Sequence, residues 1–177
     1  MTKFTCKHRC CSIYIENYIN NKKSPIRNKK NKKAGIFICN KFTNSKPYFY
    51  HENDYILLVQ SKGNLWGLPK GTFEKIDNDN PKKCALREVF EETGLHFSDK
   101  QLTRPYIIKN ESFYYYIKVK SNLKLPIINK IPINDVNGIG WFKVKCLKNL
   151  MLNKIVKLNY YTILCFRRYI HLNLDNI

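Results

Sequence analysis

The sequence predicts an α/β fold. Three observations carry that reading: short apolar runs at 34–39 and 55–60 that look like strands, a carboxylate-rich helix over 81–93, and an aromatic, β-branched stretch within 107–120. At 177 residues the chain is expected to form one domain with short extensions, large enough to bury a core. Lys and Arg number 32 against 13 Asp and Glu, a formal net charge of +19. Such an excess points to a polyanionic partner, because a basic surface neutralises phosphates and releases their counterions. Basic composition serving solubility alone is the alternative.

Seven cysteines, at 6, 10, 11, 39, 84, 146 and 165, are odd in number and scattered. They form no secreted disulfide framework, so reduced thiols and an intracellular, cytoplasmic protein are expected. Residues 1–19 are too charged and too interrupted for a signal peptide, and no stretch approaches a membrane span. Within that segment Cys6-Lys-His8-Arg-Cys10-Cys11 fits no standard zinc finger, and no second ligand pair follows; a short helix with buried thiols is expected instead. Residues 20–33 read as a basic, proline-interrupted link, either a solvated segment or a contact for RNA phosphates.

Core strands follow at 34–39 and 55–60, separated by a polar, turn-prone insert at 40–54. Turn chemistry over 60–65 then leads into Trp66-Gly-Leu-Pro-Lys-Gly71. The helix over 81–93 has proline in its first turn and Gly94 just past its end, where a left-handed cap is wanted. Leu86, Val89 and Phe90 give it apolar contacts. Glu88, Glu91 and Glu92 fall at i, i+3 and i+4, so their carboxylates leave one side of the helix. Acids that close repel one another unless a cation lies among them. Hard oxygen ligands without a neighbouring histidine or cysteine favour Mg²⁺ or Mn²⁺, which suggests phosphate chemistry. Arg87 can reach Glu91 at i+4 and fix its rotamer.

Beyond the helix, 95–97 and 107–120 read as strands. Tyr114, Tyr115 and Tyr116 suit either a core strand or a base-stacking surface. A proline-punctuated loop spans 123–133. The spacing of Leu147, Met151, Ile155, Leu158, Thr162, Cys165 and Tyr169 predicts one amphipathic helix from about 147 to 172. Lys154, Lys157 and Arg168 lie to one side of it, as a solvated face or a phosphate-binding ridge.

The stretch Arg87-Glu-Val-Phe-Glu-Glu-Thr-Gly94-Leu95 resembles the second half of the Nudix box, and Gly71 resembles its opening glycine. Sixteen residues separate Gly71 from Arg87, two more than in the family pattern, so the box's first glutamate falls on either Asp77 or Asp79. The resemblance implies a Nudix-type α/β/α sandwich with a mixed sheet over 34–172, a basic N-terminal extension over 1–33 and the C-terminal amphipathic helix. It implies hydrolysis of a nucleoside diphosphate linked to another group, with Glu88, Glu91, Glu92 and Arg87 as the catalytic residues. The metal, Mg²⁺ or Mn²⁺, would be held by Glu88, Glu91, Glu92 and the Lys70 carbonyl. Lys70, Gly71 and Trp66 are expected beside the substrate, with Trp66 packing there or stacking on a base. Asp135-Val136 followed by Gly140-Trp141-Phe142 is similar to a later family segment; Asp135 or Glu111 is a candidate additional acid, and either of these or Glu88 would take the proton of water.

The approach Trp66-Gly-Leu-Pro-Lys-Gly71 is similar to that of the mRNA decapping members, and the +19 charge suits a long RNA. Capped RNA is therefore the expected partner and release of 7-methylguanosine diphosphate the expected reaction. Dinucleoside polyphosphates or diphosphoinositol polyphosphates are the alternative substrates, and an RNA-binding protein on an inactive Nudix scaffold is the alternative of another class. The Asn-, Lys- and Ile-rich composition suits a large AT-rich DNA virus, which would put the protein in the host cytoplasm.

Overall fold

The computed structural model describes residues 2–15, 32–40, 53–61, 64–102, 105–108, 112–120 and 136–169. In chain order these form strands β1 (Thr2–Thr5), β2 (Ser12–Ile15), β3 (Lys33–Asn40), β4 (Tyr55–Ser61), β5 (Trp66–Gly67) and β6 (Lys70–Thr72), then helix α1 (Pro81–Thr93). Strands β7 (Tyr106–Ile108), β8 (Ser112–Val119) and β9 (Val136–Lys143) follow, and helices α2 (Val144–Leu152) and α3 (Tyr160–Tyr169) come last. The strands form one sheet in the order β1-β2-β9-β4-β3-β8-β7, with β5 on β4 and β6 on β3. Strands β3 and β8 run parallel, while β4 pairs antiparallel with both β3 and β9, so the sheet is mixed.

The near-continuous apolar runs of β3 and β4 are explained by helices covering both faces of the sheet. Successive side chains point to opposite sides of a strand. Ala34, Ile36 and Ile38 of β3, with Leu57 and Val59 of β4, belong to the core cluster that includes Cys84, Ala85 and Val89 of α1. The intervening Phe37, Cys39, Ile56 and Leu58 belong instead to the cluster containing Leu147 and Leu150 of α2 and Cys165 and Phe166 of α3. This is the expected α/β/α sandwich. Each fully buried Leu, Ile or Phe in it is worth about 1.5–3 kcal/mol of transfer free energy.

Four local expectations are corrected. The N-terminal cysteine segment is a β-hairpin and not a helix: Arg9 takes a left-handed backbone (φ 51°) and its N–H bonds the Cys6 carbonyl at 2.7 Å, turning the chain so that β1 pairs with β2. Strand β2 in turn pairs with β9, so residues 2–15 extend the sheet edge. Residues 95–97 form no strand. Gly94 (φ 68°) caps α1, and the Thr93 hydroxyl accepts the Leu95 N–H at 3.2 Å, so the chain turns away before it can pair. The stretch 107–120 divides into β7 and β8, which pair as antiparallel neighbours.

The C-terminal amphipathic segment is two helices and not one. Lys154 adopts a left-handed backbone (φ 57°), its N–H bonds the Met151 carbonyl at 2.9 Å, and the Ile155 N–H reaches the Leu150 carbonyl at 2.9 Å. That pair of bonds is a Schellman termination. The apolar spacing survives the break, since Leu158, Thr162 and Cys165 are buried, but Ile155 falls in the turn and is 48% exposed. Lys154 and Lys157 are exposed in this connection and do not form a ridge along one helix; the side chain of Arg168 lies outside the described residues. Among the described residues no helix is long and apolar enough to cross a membrane.

Because Lys154 is exposed and left-handed, Lys154→Gly relieves a steric cost and is expected to raise stability in urea denaturation by about 0.5–1 kcal/mol. A continuous helix through this position would give a loss of about 1 kcal/mol instead.

Candidate active site

The site is built where α1 meets β6. Pro81 occupies the first helical turn, and the Asn80 side chain accepts the Lys82 and Lys83 N–H groups at 2.9 and 3.3 Å, satisfying donors that the helix leaves open. Asn78 (φ 51°) and Asp79 (φ 53°) are consecutive left-handed residues just before this cap. Asn and Asp tolerate that conformation, which lets the longer connection fold back without moving the helix.

Of the two candidates for the first acid of the box, only Asp77 faces the site. It is 2% exposed at the end of the short 3-10 turn Lys75–Asp77, whereas Asp79 is exposed. Its carboxylate forms a two-pronged pair with Arg87, from Nε to Oδ1 at 3.0 Å and from Nη2 to Oδ2 at 2.9 Å, and also accepts the Glu74 N–H at 2.8 Å. The hydrogen bonds from Arg87 hold the Asp77 carboxyl below the usual carboxylate range against the opposing effect of burial.

The same guanidinium organises the rest. Nη2 donates to the Thr72 carbonyl at 3.0 Å, and Nη1 meets Glu91 Oε2 at 2.8 Å and Glu88 Oε1 at 3.0 Å. Glu88 and Glu91 therefore share one nitrogen. Burial pushes the Glu88 carboxyl up to about 7, partly offset by Arg87 and reinforced by Glu91. Gly71 leaves room for Glu88 at this point: a Cβ there would meet the carboxylate carbon and both oxygens of Glu88 and displace them. Glu92 is fixed from the other side, its Oε2 accepting the Lys70 N–H at 2.9 Å.

Glu88 and Glu91 share a single guanidinium with Asp77, and Glu92 stands beside them on α1 against the Lys70 N–H, so the helix presents hard oxygen donors. That donor set fits a hard divalent cation such as Mg²⁺ or Mn²⁺ and does not suit a soft one.

The approach segment is laced in place along its length. The Trp66 N–H bonds the Lys157 carbonyl at 2.8 Å, the Asn159 N–H bonds the Trp66 carbonyl at 2.8 Å, the Leu68 N–H bonds Thr162 Oγ1 at 3.1 Å, and the Ile36 N–H bonds the Pro69 carbonyl at 3.0 Å. Gly67 lies against the Asn159 side chain, leaving no room for a Cβ. Thr162 and Asn159 thus position the loop that carries Lys70. The sequence pattern marked Thr162 only as a member of an apolar face, and a threonine among apolar residues at that spacing was its one detectable sign.

Trp66 is not available to a substrate. It is 1% exposed, with its ring edge-on to Phe142 at 4.9 Å between centroids, so of the two expected roles it has the packing one. Tyr114 and Tyr115 are each 2% exposed and belong to opposite faces of the core, which removes both as stacking surfaces. Tyr116 is partly buried, its hydroxyl 2.8 Å from Cys39 Sγ. Asp135 and Glu111, the candidate additional acids, lie outside the described residues.

Residues 34–161 match the pattern of the NUDIX domain. The chain is 31% identical over 166 residues to the 111R protein of Invertebrate iridescent virus 3, covering 89% of this chain and 86% of that one. It is also 31% identical over 105 residues to the m7GpppN-mRNA hydrolase dcap-2 of Caenorhabditis elegans, covering 52% of this chain but 12% of that much longer protein. Among solved structures, a NUDIX hydrolase from Alicyclobacillus acidocaldarius superposes with a TM-score of 0.57 at 11% identity, over 80% of this chain and 91% of that one, a likeness of fold. With the box helix, the glycine under Glu88 and the sandwich all in place, this chain belongs to the Nudix family of hydrolases, which act on phosphorus-containing anhydrides.

Removing one partner of the buried Asp77–Arg87 pair is expected to be severe. Asp77→Asn should lower unfolding stability by about 3 kcal/mol at neutral pH, measured in urea. Because the folded-state value of Asp77 lies below its unfolded one, its stabilisation is complete above the ordinary carboxylate range and disappears as pH falls through the folded value. Wild type should therefore lose its advantage over the variant on acidification below about pH 4.

Proposed function

We propose that this chain is a metal-dependent Nudix pyrophosphohydrolase that removes the cap of RNA, releasing 7-methylguanosine diphosphate. The observation that carries the chemistry is the placing of Glu88 and Glu91 on Arg87, with Glu88 over Gly71 and Glu92 on the Lys70 N–H. The RNA substrate is supported by the likeness to dcap-2 and by the net charge of +19. A small dinucleotide does not need so extended a basic field, whereas a polynucleotide gains affinity from each phosphate neutralised.

Glu88, Glu91 and Glu92, with the Lys70 carbonyl, would hold Mg²⁺ or Mn²⁺. When bound, such an ion neutralises pyrophosphate oxygens and makes water more acidic. The protein's own part is positional. Arg87 fixes Glu88 and Glu91 in one arrangement, and the Lys70 N–H fixes Glu92. Glu88 is the proton acceptor for the attacking water among the described residues, with Asp135 and Glu111 the other candidates. Gly71 keeps backbone in contact with Glu88 and leaves the approach to the phosphate open. Lys70, beside it on β6, carries a cation suited to the same oxygens.

Two measurements test this. RNA labelled in its cap, incubated with purified protein and Mg²⁺ or Mn²⁺, should yield labelled 7-methylguanosine diphosphate on thin-layer chromatography, and the Glu91→Gln/Glu92→Gln variant should yield none. Turnover of dinucleoside or inositol polyphosphates with no cap release would overturn the RNA assignment and keep the hydrolase. Gly71→Ala should fold but displace the Glu88 carboxylate, lowering kcat about 100-fold, as expected for a misplacement of about 1 Å. An unchanged kcat would remove Glu88 from the reaction.

A further inference from the structure

A second cluster of ligating side chains lies away from the carboxylates. The turn between β1 and β2 carries Cys6, Cys10 and Cys11, and the first turn of α2 adds Cys146. The four sulfurs all lie within 4.8 Å of one another. The separations are 3.4 Å between Cys6 and Cys10, 3.8 Å between Cys6 and Cys146, and 3.2 Å between Cys10 and Cys146. Zinc with Zn–S bonds of about 2.3 Å in a tetrahedron requires sulfurs about 3.8 Å apart. All seven cysteines of the chain are free thiols, and these four have converged from positions as far apart as 140 residues.

The surroundings have the features of a thiolate cage. The Lys143 N–H bonds Cys11 Sγ at 3.3 Å. Such N–H groups stabilise negative sulfur and hold ligands in orientation. Cys6, Cys11 and Cys146 are buried, while Cys10 is only partly so. A cavity of about 280 Å³ bordered by Cys6, His8 and Cys146 gives an ion a way in. Strand β1 is four residues long at the sheet edge and pairs with β2, so a link from this turn to α2 adds an anchor for it.

We propose that Cys6, Cys10, Cys11 and Cys146 form a structural Zn²⁺ site that fastens the N-terminal hairpin to α2. Four protein ligands close the coordination shell, so the ion has a folding role and no open position for substrate. It shares no residue with the oxygen ligands of the carboxylate site, and the two donor sets select different metals.

The test uses the full chain purified under reducing conditions without chelator. Native mass spectrometry should give the chain mass plus one zinc, and zinc X-ray absorption should give four sulfur neighbours at about 2.3 Å. The Glu91→Gln/Glu92→Gln variant should retain the zinc, and Cys146→Ser should lose it or change the spectrum to three sulfurs. Wild-type protein that takes up no zinc after reconstitution with Zn²⁺ under reduction would overturn the proposal. So would zinc with only oxygen or nitrogen neighbours, or a mass two hydrogens light from a disulfide within the cluster.

Discussion

A single guanidinium holds the carboxylate face of α1 to the loop before it. Arg87 is 16% exposed in its side chain and meets Asp77, Glu88 and Glu91, as well as the Thr72 carbonyl. Acids on one helix side repel, and burial makes each charge harder to keep. A lysine could supply the charge but not the fork: Nε and Nη2 grip both oxygens of Asp77 while Nη1 serves the two glutamates. The geometry joins three separate pieces of chain, namely β6, the 3-10 turn before α1, and α1 itself. One guanidinium is shared among four carboxylates, those of Asp77, Glu88 and Glu91 within 3.0 Å and that of Glu74 at 3.7 Å.

The other side of the sheet serves the site as well. Helix α3 begins at the approach segment, where Asn159 caps it through a 3.0 Å bond from the Thr162 N–H and Thr162 in turn accepts the Leu68 N–H. Strand β3 secures Pro69 from below through the Ile36 N–H. Lys70 is thereby held between an element from each half of the sandwich, with Glu92 of α1 on its own N–H. Breaking the C-terminal segment into two helices is what brings α3 to this position, since Lys154 turns the chain between them.

The thiol cluster stands in contrast to the carboxylates in both chemistry and purpose. Four soft sulfur donors gather where the N-terminal hairpin meets α2, whereas hard oxygen donors gather on α1 beside β6. The two donor sets share no residue, and soft and hard ligands favour different metals.

The sequence by itself determined whatever is written in contiguous or periodic residues. The box from Arg87 to Leu95, the proline and glycine at the ends of α1, the acids on one side of it, and the apolar runs of β3 and β4 could all be read because local spacing sets helix and strand geometry. The tertiary structure alone decided which side chains meet across the sheet. It brought Asp77 and not Asp79 to Arg87, sealed Trp66 and Tyr114 into the core, and set Thr162 beneath Leu68. It also brought Cys146 to a hairpin whose own three cysteines match no finger spacing. Those contacts depend on strand order and on where the chain turns, at Arg9, Asn78, Asp79 and Lys154. Left-handed turns at non-glycine residues leave almost no trace in a hydrophobic pattern, and pairings across 140 residues leave none.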